Sequence, residues 1–502
     1  MLTISIKEKT AHFLEKVGKC LGFVRRFNEA RDAAIDAVSL SRSLVDESSA
    51  SGTPHLAGQL ANLGVYLLEL NRHTESLDIT QESVELYRSL VAGDPDSYTP
   101  HLAHRLGDLG RCFTRMNRHR ESLNVDEESV KLYRSLEAEN PGSYSHDLAR
   151  QLGNLGTSLW HLKRHMESLD TLQESVKLYR SLVIQDRAAY TPDLARQLGN
   201  LGASLWNLKR NKDSLDTWEE SVALYRLLVA DNPTSYTPDL ACELGNLGIG
   251  LSSLNRHTES LDAYQEAIKL YRSLVADNAA SYTPDLARQL SNLGASLSGF
   301  GRHTESLDVQ QESVKLYRLL VRDNPTSYTP YLARELGNLG FSLSDLERHT
   351  ESLGVQQESI QLYRSLIRDN PVSYTPYLAR ELGNVGTCLF NLKRHTESLD
   401  IRQESVNLYR SLVVDNPVSY TPYLARQLGN LGVDLWEAKQ HTTSLDASKE
   451  SIELYRSLIA RDPALYTSNL AGQLIYLSSC LSDLGRHTES LVASQEAAGL
   501  ST

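Results

Sequence analysis

Apolar residues return along the chain at helical intervals, in two runs for every stretch of 46 residues. Between residues 238 and 283, Leu240, Leu244, Leu247, Leu251 and Leu254 form one stripe, and Leu261, Ile268, Tyr271, Leu274 and Val275 form a second. Steps of three and four place each set on one face of an α-helix, which predicts two amphipathic helices of roughly 16 to 20 residues. Thr237 can cap free backbone N–H groups and Pro238 has none to lose, so the first helix is expected to open at Pro238. Asn255, Arg256 and His257 read as a short turn, with Thr258 and Glu259 suited to the start of the second helix. Asp-Asn-Pro at 231–233, 323–325, 369–371 and 415–417 stops that second helix just before the next Tyr-Thr-Pro. With stop and start so close together, successive helices run antiparallel.

The unit repeats without drift. Tyr98, Tyr144, Tyr190, Tyr236, Tyr282, Tyr328, Tyr374, Tyr420 and Tyr466 lie 46 residues apart, and Leu-Gly recurs from Leu63-Gly64 to Leu431-Gly432 with Val385-Gly386 as a variant. A fixed period of this length marks a solenoid, in which a unit too small to bury its own apolar face stacks on its neighbours. Val17-Gly18 and Leu477-Ser478 are degenerate versions, as terminal units with one watery side should be. The expected organisation is a degenerate cap over 1–53, nine repeats over 54–467 and a second degenerate cap over 468–502, eleven helix pairs in all. The fold class is all-α, an α-solenoid of stacked antiparallel helix pairs.

Asn-Leu-Gly followed by leucine three residues on, a small residue such as Ser214 or Ser260 before leucine, and small Ser221 or Ala267 further along resemble the tetratricopeptide repeat over essentially the whole chain. Small residues let two helices approach closely at their crossing. The unit is longer than the usual repeat, its proline comes late, and the slot where an aromatic is usual holds Thr80, Leu172, Trp218, Tyr264, Gln310 and Arg402. Long helices of this kind resemble those of kinesin light chains, and the Leu-Tyr-Arg and Tyr-Thr-Pro phrases resemble fungal arrays joined to NACHT or NB-ARC nucleotide-binding domains. The resemblance implies a right-handed superhelix that binds a protein or peptide on its concave face, with a fused or associated nucleotide-binding domain as a related arrangement.

Charge narrows the partners. With 51 basic and 63 acidic residues the formal net charge is −12, which disfavours nucleic acid. No apolar run approaches the roughly 20 residues needed to span a bilayer, and the charged opening MLTISIKEKTAHFLEK does not suit a signal sequence, so membrane insertion is not expected and a cytoplasmic protein is. Cys20, Cys112, Cys388 and Cys480 occupy one slot that other units fill with Ser158, Ser204, Gly250, Ser296 and Ser342, so cysteine is expected as small filler. His73, His119, His165, His257, His303, His349, His395, His441 and His487 come once per unit and are expected in the turn, spread along an edge instead of converging on a metal. Phosphate-loop, metalloprotease, Cys-x-x-Cys and nucleophile-elbow motifs are missing, and copied motifs do not make a unique catalytic constellation, so neither enzyme activity nor a cofactor is expected.

One row carries candidate chemistry. Asn62, Asn154, Asn200, Asn246, Asn292, Asn338, Asn384 and Asn430 hold one slot of the first helix, with Asp108 in the series. An amide offers an acceptor and two donors, so a ladder of them can pair with the backbone of an extended peptide without reading its side chains. Four residues earlier on the same face stand Arg150, Arg196, Arg288, Arg334, Arg380 and Arg426, which favour acidic groups. The competing reading seats both rows in the stack, with Arg paired to residues such as Glu335 or Glu381. Trp160 and Trp206, with Phe390 and Trp436, vary beside this face as anchors or as core. Three functions fit: a scaffold for an extended peptide, a ligand-sensing or autoinhibitory array of a nucleotide-dependent switch, and an architectural spacer.

Overall fold

Caps and prolines set where the helices begin. The structure, a computed structural model, describes residues 2–23, 26–47 and 49–500, and these form 22 α-helices with no strand among the described residues. In a typical pair, here called A and B, the A helix is Pro325–Asp345 and the B helix His349–Asp369. Consecutive helices pack on one another from Leu2–Phe23 to Pro233–Ser253, and again from Ala279–Gly299 to His487–Gly499. The chain divides into two compact units, Met1–Ala263 and Tyr264–Thr502, each a run of such pairs. Among the described residues no helix is long and apolar enough to cross a membrane.

The A helix opens earlier than Tyr-Thr-Pro. Asn232 is the cap of Pro233–Ser253, its side chain accepting from the Ser235 N–H at 3.2 Å, and Pro233 takes the first turn. Asp-Asn-Pro therefore starts one helix as it stops the other, since one residue can end a helix and cap the next when the chain reverses there. Pro238 lies inside the helix, and the Thr237 hydroxyl donates back to the Pro233 carbonyl at 2.7 Å instead of capping. Ser145–His161 alone of the middle A helices opens later, because Gly142 at φ +87 breaks the turn and the Glu137 carboxylate gathers the Gly142 and Tyr144 N–H groups.

The histidines also move inward. Each opens the B helix, as His349 does, with Arg348 as a cap residue whose guanidinium reaches Glu351 at 2.6 Å. The turn itself rests on a left-handed residue just before that arginine, Asn255 at φ 58, Lys393 at φ 59 and Gly301 at φ 74 among them. A short Asn or a Gly reaches this region at low steric cost.

Serine and glycine close the A/B crossing together. Ser214 donates to the Gly202 carbonyl at 2.7 Å and Ser221 to the Ala195 carbonyl at 2.8 Å, and the pattern recurs at Ser352 to Gly340 and Ser359 to Ala333. The small residues are thus buried donors as well as spacers, and a helix carbonyl accepts each. Gly202 is indispensable by contact. A Cβ there would lie 2.5 Å from Nε1 and 2.6 Å from Cδ1 of buried Trp218, whose ring is pinned by an Nε1–H bond to the Gly199 carbonyl at 3.2 Å. Gly202→Ala is expected to lower stability by about 1–3 kcal/mol in urea titration. Gly354→Ala, on a B helix with open space around the new methyl, should instead gain about 0.5–1 kcal/mol.

On the B helices the Leu-Tyr-Arg phrase has a stacking role. Arg88 reaches Glu128 at 2.6 Å, Arg180 reaches Glu220 at 2.6 Å and Arg410 reaches Glu450 at 2.7 Å, each bridging to the following B helix within its unit. These pairs are exposed, and each contributes about 0.2–1 kcal/mol at most.

Candidate functional site

The asparagines of the A helices are half-buried, and five of them are held by a side chain of their own helix. Asn154 donates to Gln151 Oε1 at 3.0 Å, Asn200 to Gln197 Oε1 at 3.3 Å, Asn246 to Glu243 Oε2 at 3.3 Å and Asn384 to Glu381 Oε2 at 3.4 Å. Asn338 likewise bonds to Glu335. An amide so tied keeps its carbonyl oxygen and a second N–H. Asn62 lines an open cavity of about 610 Å³ with Tyr66, His104 and Arg105, and Asn154 lines one of about 130 Å³ with Thr114, Thr157 and Asp126. Asn292 and Asn430 are half-buried at the same slot.

The acceptors of those bonds form a row that sequence reasoning missed. Gln427 lies where a Cβ on Gly383 would come within 2.5 Å of its Nε2, and Glu381 stands in the same way 2.7 Å from a Cβ on Gly337. Each therefore seats its end group on the glycine of the preceding A helix, and successive A helices meet there. The signal was present in the Gln/Glu-Leu-Gly-Asn phrase, where a polar residue precedes a glycine next to the row of interest. Burial raises the Glu335 and Glu381 carboxyls, opposed by the Ser291 hydroxyl and Arg334 at the first and by Arg380 at the second.

The arginine row falls into two classes. Arg150 pairs with Asp147 at 2.8 Å and Arg288 with Asp285 at 2.9 Å, and Arg196 with Asp193. Arg334, Arg380 and Arg426 instead lie over the rings of Tyr331, Tyr377 and Tyr423, at 5.5, 5.7 and 5.8 Å from the centroids. Arg380 also reaches Glu381 at 2.9 Å, the pairing that the stacking reading anticipates.

Trp160 and Trp206 are both half-buried. Trp160 meets His161 edge-on at 5.0 Å, and Trp206 leans on the core residue Trp218 at 6.1 Å. Phe390 and Trp436 stand against the opening histidines His395 and His441 at 5.1 and 4.3 Å. The row therefore borders the A/B turn as well as the A-helix face. Among the described residues no three His, Cys, Asp or Glu side chains are placed to share a metal ion.

The variable slot of the B helix is where repeats differ in charge. Its residue meets the small-residue slot of the next A helix: Thr80 with Cys112 at 3.8 Å, Asp126 with Ser158 at 2.7 Å, Gln356 with Cys388 at 3.5 Å and Arg402 with Asp434 at 2.6 Å. Cys112, Cys388 and Cys480 are buried there, but Cys20 is exposed, a departure from the filler expectation. The slot rests on the helix pair before it, and Leu2–Phe23 is the first helix described.

Among known families, the tetratricopeptide repeat model matches residues 56–96, 244–278 and 286–325. The chain carries tetratricopeptide repeats at those three segments. Its helices are long, 21 residues in both Pro325–Asp345 and His349–Asp369. No curated protein matches the sequence significantly. Of solved structures, BtubC (BKLC) from P. vanneervenii is 16% identical with a TM-score of 0.40, covering 49% of this chain and 92% of that one. The nearly identical TPR-like repeats of a Podosopora anserina protein assigned as a kinesin light chain are 13% identical with a TM-score of 0.35, covering 44% and 98%. The apo form of RapI is 12% identical with a TM-score of 0.43, covering 62% and 98%.

Proposed function

We propose that this tetratricopeptide repeat protein is an interaction scaffold whose A-helix face holds an extended segment of a protein partner. The amide row carries the reading. Five of its members are fixed by a neighbouring Gln or Glu while each retains an acceptor and a donor. A rotamer held in this way loses little entropy on binding, which is the advantage of a prearranged site. Regular placement, once per repeat, suits a ligand whose own polar groups repeat, and an extended backbone is such a ligand.

The test uses Asn154→Ala, Asn200→Ala and Asn246→Ala together, three consecutive repeats of the first unit. Peptides selected from a random display library against the wild-type protein are titrated against both forms. Each amide–backbone bond is worth about 1 kcal/mol, so the triple variant should bind roughly a hundredfold more weakly, with a melting temperature moved by only a few degrees. Equal binding by both proteins would remove the amides from the docking face and leave the spacer reading.

A further inference from the structure

We infer that three consecutive repeats of the second unit form an anion-recognising ladder, Tyr331/Arg334, Tyr377/Arg380 and Tyr423/Arg426, which takes an extended acidic peptide with one carboxylate per repeat. The inference rests on the A-helix face being the docking face, and names the chemistry of the partner there.

The comparison between repeats is internal to the chain. Where Arg150, Arg196 and Arg288 stand, an aspartate three residues earlier accepts the guanidinium. In the three later repeats that aspartate is a tyrosine. The guanidinium has lost its carboxylate and gained a ring, and a cation over a ring keeps its full charge available to an incoming anion. Arg426 is followed by Gln427, so no neighbouring acid compensates it in sequence. Arg380 is partly compensated by buried Glu381, and Arg334 adjoins buried Glu335.

The rings are presented for use. Tyr331, Tyr377 and Tyr423 are 43%, 42% and 44% exposed although each is a large aromatic. Each lies flat on a buried tyrosine of the B helix before it, Tyr317, Tyr363 and Tyr409, at 5.9, 5.7 and 5.8 Å with interplanar angles of 8, 9 and 10°. Stacking fixes the ring plane, so the outer ring is a rigid, partly exposed platform.

Spacing then selects the ligand. Successive A helices touch directly where Glu381 and Gln427 seat on Gly337 and Gly383, which implies a step of about 8–10 Å between neighbours. An extended chain in the polyproline II form rises about 3.1 Å per residue with three residues per turn, so acids at every third position lie on one face and match the ladder.

The probe is a fluorescein-labelled peptide of five Glu-Ser-Gly triplets, with Gln-Ser-Gly triplets as the neutral control, read by fluorescence anisotropy on the full chain. The test variant is Tyr331→Asp/Tyr377→Asp/Tyr423→Asp, which rebuilds the Asp–Arg pairs that the same fold already accommodates at Asp147 and Asp285. The variant should lose at least tenfold in affinity for the glutamate peptide, and its binding should depend less steeply on salt. Arg334→Gln/Arg426→Gln, which keeps the platforms and removes charge, should lose as much. Wild-type binding that does not distinguish glutamate from glutamine, or variants that bind as well as wild type, would overturn the ladder. The amide test reads the first unit and this one the second, so either can fail while the other stands.

Discussion

Replacing Arg402 by alanine should destabilise the second unit by about 3–5 kcal/mol, because the change strands a buried carboxylate. Arg402 and Asp434 are 3% and 1% exposed, and Arg402 Nε donates to Asp434 Oδ2 at 2.6 Å. The same oxygen accepts from the Ser398 hydroxyl at 2.8 Å, and Arg402 Nη1 reaches Gln427 Oε1 at 3.4 Å. Without the guanidinium, one hydroxyl remains to solvate a full charge inside a repeat interface. Elsewhere in the chain the same two slots hold Leu172 and Ser204, both buried. Arg402→Leu/Asp434→Ser transplants that neutral pair, and it should recover most of the stability lost by the single change. Urea unfolding of the three proteins measures the difference. A single variant within about 1 kcal/mol of wild type, or a double no better than the single, contradicts this account of the pair.

The second large effect concerns pH. Asp126 occupies the slot of Arg402 six repeats earlier in the array, but its partner slot holds Ser158 and no cation. Its Oδ2 accepts from Ser158 at 2.7 Å and Ser122 at 3.1 Å, while Oδ1 is buried without a hydrogen-bond partner. Burial pushes the carboxyl up to about 7, against the lowering influence of the two hydroxyls, and Glu127 adds to the rise. Glu69, Arg111 and Arg115 line the small cavity beside it. In the unfolded chain the same group ionises near pH 4. Between pH 4 and pH 7 the unfolded state therefore gives up a proton that the folded state keeps, and stability falls as pH rises. At about 1.4 kcal/mol for each unit of separation, the loss across this window is on the order of 4 kcal/mol. Asp126→Asn keeps the shape and cannot ionise. Its stability should exceed that of wild type at pH 8 and should lack this component of the pH dependence, as measured by urea midpoints at pH 4.5 and 8. Parallel pH profiles for the two proteins would show that Asp126 ionises alike in both states.

Both residues show how a site can hide in plain view. Arg402 reads from the sequence as a departure from an aromatic slot, but Asp126 in the same slot and Asp434 in the row of small residues pass unnoticed there. Neither exception has meaning alone. The stack brings them together at a separation of 32 residues, and then Arg402 with Asp434 is a pair while Asp126 with Ser158 is a carboxyl lacking a counterion. The asparagine row was legible because it is periodic, but the Gln/Glu row that holds it was not, since its partner glycine lies 44 residues back. The split of the arginine row was visible as Tyr331, Tyr377 and Tyr423 replacing aspartate, and only the ring geometry gave that change a consequence.

Helix content, period and antiparallel pairing were settled by local chemistry, for 3.6-residue periodicity, asparagine caps and proline act over a single turn or two. Even the displaced helix starts obey that chemistry, since Asn232 is as good a cap as Thr237 and comes first along the chain. The partners across repeats, Arg88 with Glu128, Gln427 with Gly383 and Arg402 with Asp434, were decided by tertiary structure alone. Their offsets depend on the angle and rise at which one helix pair lies on the next, and those follow from the volumes of every side chain in the interface, which no one-dimensional spacing encodes.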